Sequence, residues 1–269
     1  MKLILLDRNV ISTIRQKLNN QKISPYRIRV LRKLNRSDNF ISPILSIREG
    51  QSGIRENAEK TKTTITNEAN LIARFFTKAK TDSEFLINEQ NDLSNVFGNN
   101  IELSWDSYEL FLIEMNDILF QPISKQKQQK YENIIFEKAL HYNIDKGHPV
   151  VICCLSTLYG CNNSRGILKF KPMLDEKDKR KNIFNALNDL MVLSRLSMIK
   201  AANTNANKKY KIKFITFDNK LCEFLKSIKT NYEQIIEYST EINVTYSKKL
   251  FPDLNEDEFT QFIERLKYE

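Results

Sequence analysis

The sequence is poor in the residues that break or staple a fold. Six glycines and six prolines in 269 residues exclude a collagen-like repeat and a glycine- and proline-rich disordered chain. Four cysteines, two of them adjacent at Cys153 and Cys154, supply no disulfide framework and fit a reducing compartment, so a cytoplasmic protein is expected. Histidine is scarcer still, limited to His141 and His148. No apolar run approaches the roughly 18–20 residues of a spanning helix, and Met1–Leu6 runs straight into Asp7 with no cleavage-site region behind it. Neither a membrane partner nor a secretory leader is expected.

What is present is a large hydrophobic fraction, 41% with 16 Phe and 10 Tyr, enough for a sizeable core in a globular, helix-rich protein. The length exceeds the usual domain of roughly 100–200 residues, which points to one enlarged domain or a core with a long insertion. Charge is divided along the chain. Residues 1–60 hold 13 Lys/Arg against 5 Asp/Glu and residues 166–215 hold 12 against 4, whereas Asp82 to Asp117 carries nine carboxylates and no Lys or Arg. Basic surfaces attract phosphodiester backbones without reading sequence, and an acidic stretch in the same chain could cover such a surface.

Hydrophobic periodicity orders the elements. Leu3–Leu6 is a short apolar run ending in a charge, as in a strand buried on both faces of a parallel sheet. Helices follow over Val10–Lys17 and Tyr26–Leu34, then a short extended piece at Phe40–Ile41. Past Pro43, Ser46 and Glu49 have capping-box spacing, so Glu49 is expected to open a helix. Patterns from Gly50 to Met173 are helical: Ile65–Ala79, Tyr108–Phe120, Tyr131–Tyr142 and Pro149–Tyr159. After the helix Ile183–Ile199, Lys211–Phe217 reads as a strand ending at Asp218, Lys220–Ile228 as a helix, Ile242–Tyr246 as an edge strand and Asp257–Lys267 as a closing helix. Strand–helix units at both ends predict an α/β fold with a mostly parallel sheet, whose sites lie beyond the carboxyl ends of the strands.

Asp7 and Asp218 each follow such a strand. Clustered acids there repel one another unless a cation joins them, which suggests Mg²⁺ or Mn²⁺. Asp189 sits among Leu187, Leu190 and Val192, where an unpartnered carboxylate is costly, and Glu49 adds a fourth acid. His148 with Cys153, Cys154 and Cys161 lacks any C-x-x-C pair, so a packed helix is expected there rather than zinc.

Four segments, in this order, resemble the PIN-domain nucleases: Leu5–Leu6–Asp7–Arg8–Asn9–Val10, Phe40 to Glu49, Asn188–Asp189–Leu190, and Phe214–Ile215–Thr216–Phe217–Asp218–Asn219–Lys220. The resemblance implies a three-layer α/β sandwich around a central, mostly parallel sheet. Its core would be residues 1–50 and 180–248, with a large helical insertion over 51–179 and a C-terminal helix, 249–269, packed on the core. It further implies that Asp7, Glu49, Asp189 and Asp218 form the acidic, cation-binding cluster, with Asn9 and Thr216 orienting it. Glu114 and Asp117 are alternative candidates for the second acid. The activity implied is hydrolysis of phosphodiester bonds with one or two divalent cations. RNA is the expected substrate, with DNA second, and a toxin or antiviral effector is the expected context. Arg8, Arg48, Lys179, Arg180, Lys181 and Lys220 are candidate phosphate contacts. Arg8 stands where the family often has a small hydroxyl residue; its guanidinium would either compete with a cation or bind the scissile phosphate. A protein inhibitor or effector docking on the insertion, and a homo-oligomer, complete the expected partners.

Two rivals stand beside this reading. One is an interaction module that keeps the fold without turnover. The other is a phosphatase-like hydrolase using Asp7 as nucleophile, disfavoured because Asn9 occupies the place of a second Asp.

Overall fold

A computed structural model describes residues 1–50, 53–99, 104–172, 175–206, 210–236 and 239–267. The chain runs β1 (Lys2–Leu6), α1 (Arg8–Leu18), α2 (Pro25–Leu34), β2 (Asn39–Ser42), α3 (Ile44–Glu49), α4 (Ala58–Phe75), β3 (Lys80–Thr81), α5 (Ser83–Asn88) and α6 (Gln90–Asn99). It continues α7 (Trp105–Leu119), α8 (Lys125–His141), α9 (Pro149–Leu158), α10 (Asn162–Leu168), α11 (Glu176–Asn205), β4 (Lys211–Ile215) and α12 (Asn219–Lys226). The last elements are β5 (Ile228–Ile236), β6 (Ser239–Tyr246) and α13 (Glu256–Lys267). It is a mixed α/β protein with a four-stranded parallel sheet in the order β3-β2-β1-β4.

The chain divides into two compact units, Met1–Ile101 with Met198–Asn219, and Glu102–Ser197 with Lys220–Glu269. The first unit thus reaches from Met1 to Ile101, beyond the residue 50 at which the sequence reading ends the first core segment. The reason is packing: α4 lies against α1, α3, α5 and α6, and β3 extends the sheet beside β2, so residues 53–99 belong with the sheet.

In the first unit Ile4, Leu5 and Leu6 are at most 1% exposed, so β1 is covered on both faces as its unbroken apolar run requires. Each such side chain removed from water contributes about 1.5–3 kcal/mol before entropy is counted. Val10, Ile11 and Ile14 put one face of α1 against Ile4 and Leu6, joined by Leu31 and Leu34 of α2, Ile41 of β2, and Ile72 and Phe76. A smaller cluster joins Ile47 of α3, Ile65 and Ala69 of α4, and Leu86 of α5.

The second unit is built around α9, all ten of whose residues are buried. Pro149 begins it and Gly160 lies beyond its end, where φ is +85° and an added Cβ would come within 2.8 Å of the Asp253 carboxylate, so only glycine fits. Helices α7, α8 and α10 pack on α9. The closing helix α13 packs within this unit: Phe262 is buried against Phe251 and Tyr159, with ring centroids 4.6 and 5.8 Å away. The segment Ile242–Tyr246 is a strand, but its partner is β5 in an antiparallel pair, with a register shift between Tyr232 and Gln234. Among the described residues no helix is long and apolar enough to cross a membrane.

Candidate functional site

The carboxyl ends of β1 and β4 lie side by side. Leu6 is in register with Ile215, and the Asp7 amide donates to the Ile215 carbonyl at 3.0 Å, so the next residues of both strands emerge together. Asp7 is the N-cap of α1: its Oδ1 accepts from the Arg8 amide at 2.7 Å, and its Oδ2 accepts from Asn9 Nδ2 at 2.5 Å. Asn9 also donates to Thr216 Oγ1 at 3.0 Å and accepts from the Phe217 amide at 2.8 Å, while Thr216 Oγ1 accepts from the Asp218 amide at 2.9 Å. One side-chain amide thus ties the two strand ends. Asn9 and Thr216 are hydrogen-bonded to each other, Asn9 to the Asp7 carboxylate and Thr216 to the Asp218 amide.

Asp7 is 5% exposed. Burial pushes its carboxyl above the usual carboxylate range; Thr216, the Arg8 amide and Asn9 pull it down through hydrogen bonds, and the charge of Asp218 pushes it up again. Two carboxylates in mutual repulsion at adjacent strand ends are the electrostatic signature of this site.

The other expected residues distribute as follows. Glu49 is in the first unit, half-buried, but it is the last residue of α3 rather than the first. The helix begins directly after Pro43, and Ser46 is buried inside it, so no capping box forms. Asp189 lies on the part of α11 that belongs to the second unit, half-buried, with its charge felt at Cys153; the adjacent Asn188 is hydrogen-bonded to Phe184 and Arg195. Glu114 is paired with Lys138 at 2.7 Å and accepts from the Tyr142 hydroxyl, and Asp117 is paired with Lys179 at 2.7 Å, so both carboxylates already have partners.

The same pairing engages Lys179, and Arg180 bridges Glu109 and Glu176. Lys181 is exposed. Lys220 lies across Gly166, where an added Cβ would meet its Cδ at 2.3 Å. Arg48 stacks over the Phe97 ring at 5.3 Å. The acidic stretch from Asp82 to Asp117 does not form one lobe: α5 and α6 lie in the first unit and α7 in the second, and Glu102 lies outside the described residues. His148 caps α9 through Nδ1 and stacks on Tyr108, and burial holds it down at about 4.

Three further acids lie in the first unit. Glu68 of α4 is 1% exposed, and burial pushes it up to about 7 against the opposing pull of Arg8 and Arg15, with Glu56 adding repulsion and the Ser46 hydroxyl beside it. Asp82 follows β3 at the same edge of the sheet; burial pushes it up to about 6, and its Oδ1 has no hydrogen-bond partner. Glu56 accepts from Thr64 at 2.9 Å. The signal for Glu68 was in the sequence: Ile65, Ala69 and Ile72 define a buried helix face, and position 68 lies on it.

Glu68 makes stability depend on pH. Its folded pKa lies above the unfolded one, so its contribution is intact below about pH 4.5 and is lost as pH rises through about 7. The melting temperature of the wild type should fall between pH 5 and pH 8 relative to that of Glu68→Gln, which lacks the ionisation. Melting curves that stay parallel across this range would rule the assignment out.

Among the described residues no three His, Cys, Asp or Glu side chains converge as a group able to hold a metal ion. Comparison with protein-family models, with curated proteins and with solved structures finds no match for this chain.

Proposed function

We propose that the chain is a divalent-metal-dependent nuclease of the PIN-like kind, acting on RNA. The observation that carries this reading is the hydrogen-bonded set Asp7, Asn9, Thr216 and Asp218 at the carboxyl ends of adjacent parallel strands. The donor chemistry fits Mg²⁺ or Mn²⁺: both acids offer hard oxygens, and Mg²⁺ takes one or two carboxylates together with waters and substrate phosphate.

Asp7 and Asp218 would hold the cation. Asn9 fixes the Asp7 oxygen that it hydrogen-bonds, and Thr216 fixes the backbone that carries Asp218. When bound, the ion supplies Lewis acidity that makes water nucleophilic at neutral pH and offsets charge on the phosphate. The outer face of α2 carries exposed Arg29, Arg32 and Lys33, three and four residues apart, a surface suited to a phosphodiester backbone.

The rival reading, a binding module without turnover, is favoured by the two-carboxylate character of the set. Incubating the full chain with single-stranded RNA separates them. Cleavage that requires Mn²⁺ or Mg²⁺ and stops with EDTA is expected; RNA binding that is indifferent to chelator, with no cleavage under any divalent ion, overturns the nuclease reading.

A further inference from the structure

We infer that Glu68 is a positioning residue that draws the Arg8 guanidinium away from Asp7 and so keeps the Asp7 carboxylate open to a cation; this rests on the nuclease reading above. The difficulty it resolves is written in the sequence. A guanidinium on the residue after Asp7 is a ready counter-ion, and its planar fork could cover both carboxylate oxygens at once. A cation at the first position of a helix is also poorly placed with respect to the helix dipole, which adds to the pull of any acid nearby.

In the structure, Arg8 meets Asp7 through its backbone amide, 2.7 Å from Oδ1. Its side chain goes elsewhere. Nη1 is buried without a hydrogen-bond partner, and the charge of Arg8 acts on Glu68, opposing the effect of burial there. Arg15, two turns further along α1, pulls on Glu68 in the same sense. Glu68 in turn is buried on the face of α4 that carries Ile65, Ala69 and Ile72, and α4 packs on α1.

No closed ion pair forms. Glu68 Oε2 has no hydrogen-bond partner either, and neither has the Ser46 hydroxyl beside it. The attraction of the ionised Glu68 carboxylate therefore acts without a hydrogen bond, through low-dielectric interior where charges interact more strongly than in water.

The test measures Mn²⁺ binding by calorimetry to the full chain, with melting curves to confirm folding. Glu68→Gln should weaken Mn²⁺ binding by about 10-fold, the lower end of the effect of groups that orient metal ligands. Arg8→Ser alone should bind Mn²⁺ at least as tightly as the wild type, and Arg8→Ser combined with Glu68→Gln should match Arg8→Ser. A merely structural role for Glu68 would not be relieved by removing Arg8. If the wild type binds Mn²⁺ but Glu68→Gln binds it equally well, or the double variant stays as weak as Glu68→Gln, this inference fails while the nuclease reading stands. A wild type that binds no Mn²⁺ removes both. Should Glu68→Gln not fold, Arg8→Ser decides alone, since a tenfold weakening there would make Arg8 a helper of the cation and overturn the inference.

Discussion

Asp7→Asn should lower cleavage of RNA by about 10³-fold or more, equivalent to about 4 kcal/mol of transition-state stabilisation, and Asp218→Asn should do the same. The size follows from the site. Asp7 and Asp218 are the two carboxylates whose charges meet at the strand ends, and on the proposed nuclease reading a neutral amide would not replace either in holding a cation. Folding should survive both changes. Asparagine at position 7 keeps an oxygen to accept from the Arg8 amide and removes a charge that burial disfavours, while its NH2 faces the Asn9 donor and loses that hydrogen bond, so the two effects oppose one another and the fold is retained. Cleavage assays beside thermal melts check this directly. Undiminished cutting by both variants would place the chemistry elsewhere.

The largest stability effect is expected in the second unit, at Arg265. Its Nε and Nη2 fork onto the two oxygens of Glu132 at 2.8 and 3.1 Å, and the Glu132 side chain is 0% exposed. Tyr159 also donates to this carboxylate, as does Gln129 at 3.0 Å, and burial together with the Glu132 charge pushes the Tyr159 hydroxyl up. Removing one partner of a buried pair typically costs about 3–5 kcal/mol because the other charge stays buried. Arg265 is 39% exposed, which favours the lower end. Arg265→Ala should therefore destabilise by about 3 kcal/mol, a fall in melting temperature on the order of 10 °C. Adding Glu132→Gln should recover much of the loss. A single variant within about 0.5 kcal/mol of wild type, the scatter of ordinary surface changes, would show that the pair contributes nothing.

The sheet was largely readable because its inner strands announce themselves. Leu3 to Leu6 and Lys211 to Ile215 are apolar or alternating runs that end close to an acid, and both became strands of the parallel sheet. Strand β3 was not readable: Lys80–Thr81 has no apolar signature, and it is a strand only because β2 offers it a partner. The same holds for β5, where Lys229–Thr230–Asn231 reads as polar until β6 is paired with it. Glu49 was misplaced within its helix because spacing alone suggested a cap, whereas Pro43 had already fixed the start. Asp7, Asn9, Thr216 and Asp218 could be found because each sits next to a strand end. Glu68 required a different question: which acid lies on the apolar side of its own helix.

The pairing of β1 with β4 joins residues 2–6 to residues 211–215. During synthesis β1, β2 and β3 (Lys80–Thr81) follow one another closely, yet β1 keeps an open edge until β4 (Lys211–Ile215) has been made. Asp7 waits through the same interval for Asp218. A nascent polypeptide therefore carries an unfinished edge that another strand could occupy, and Asp7 and Asp218 stay apart until β4 has been made.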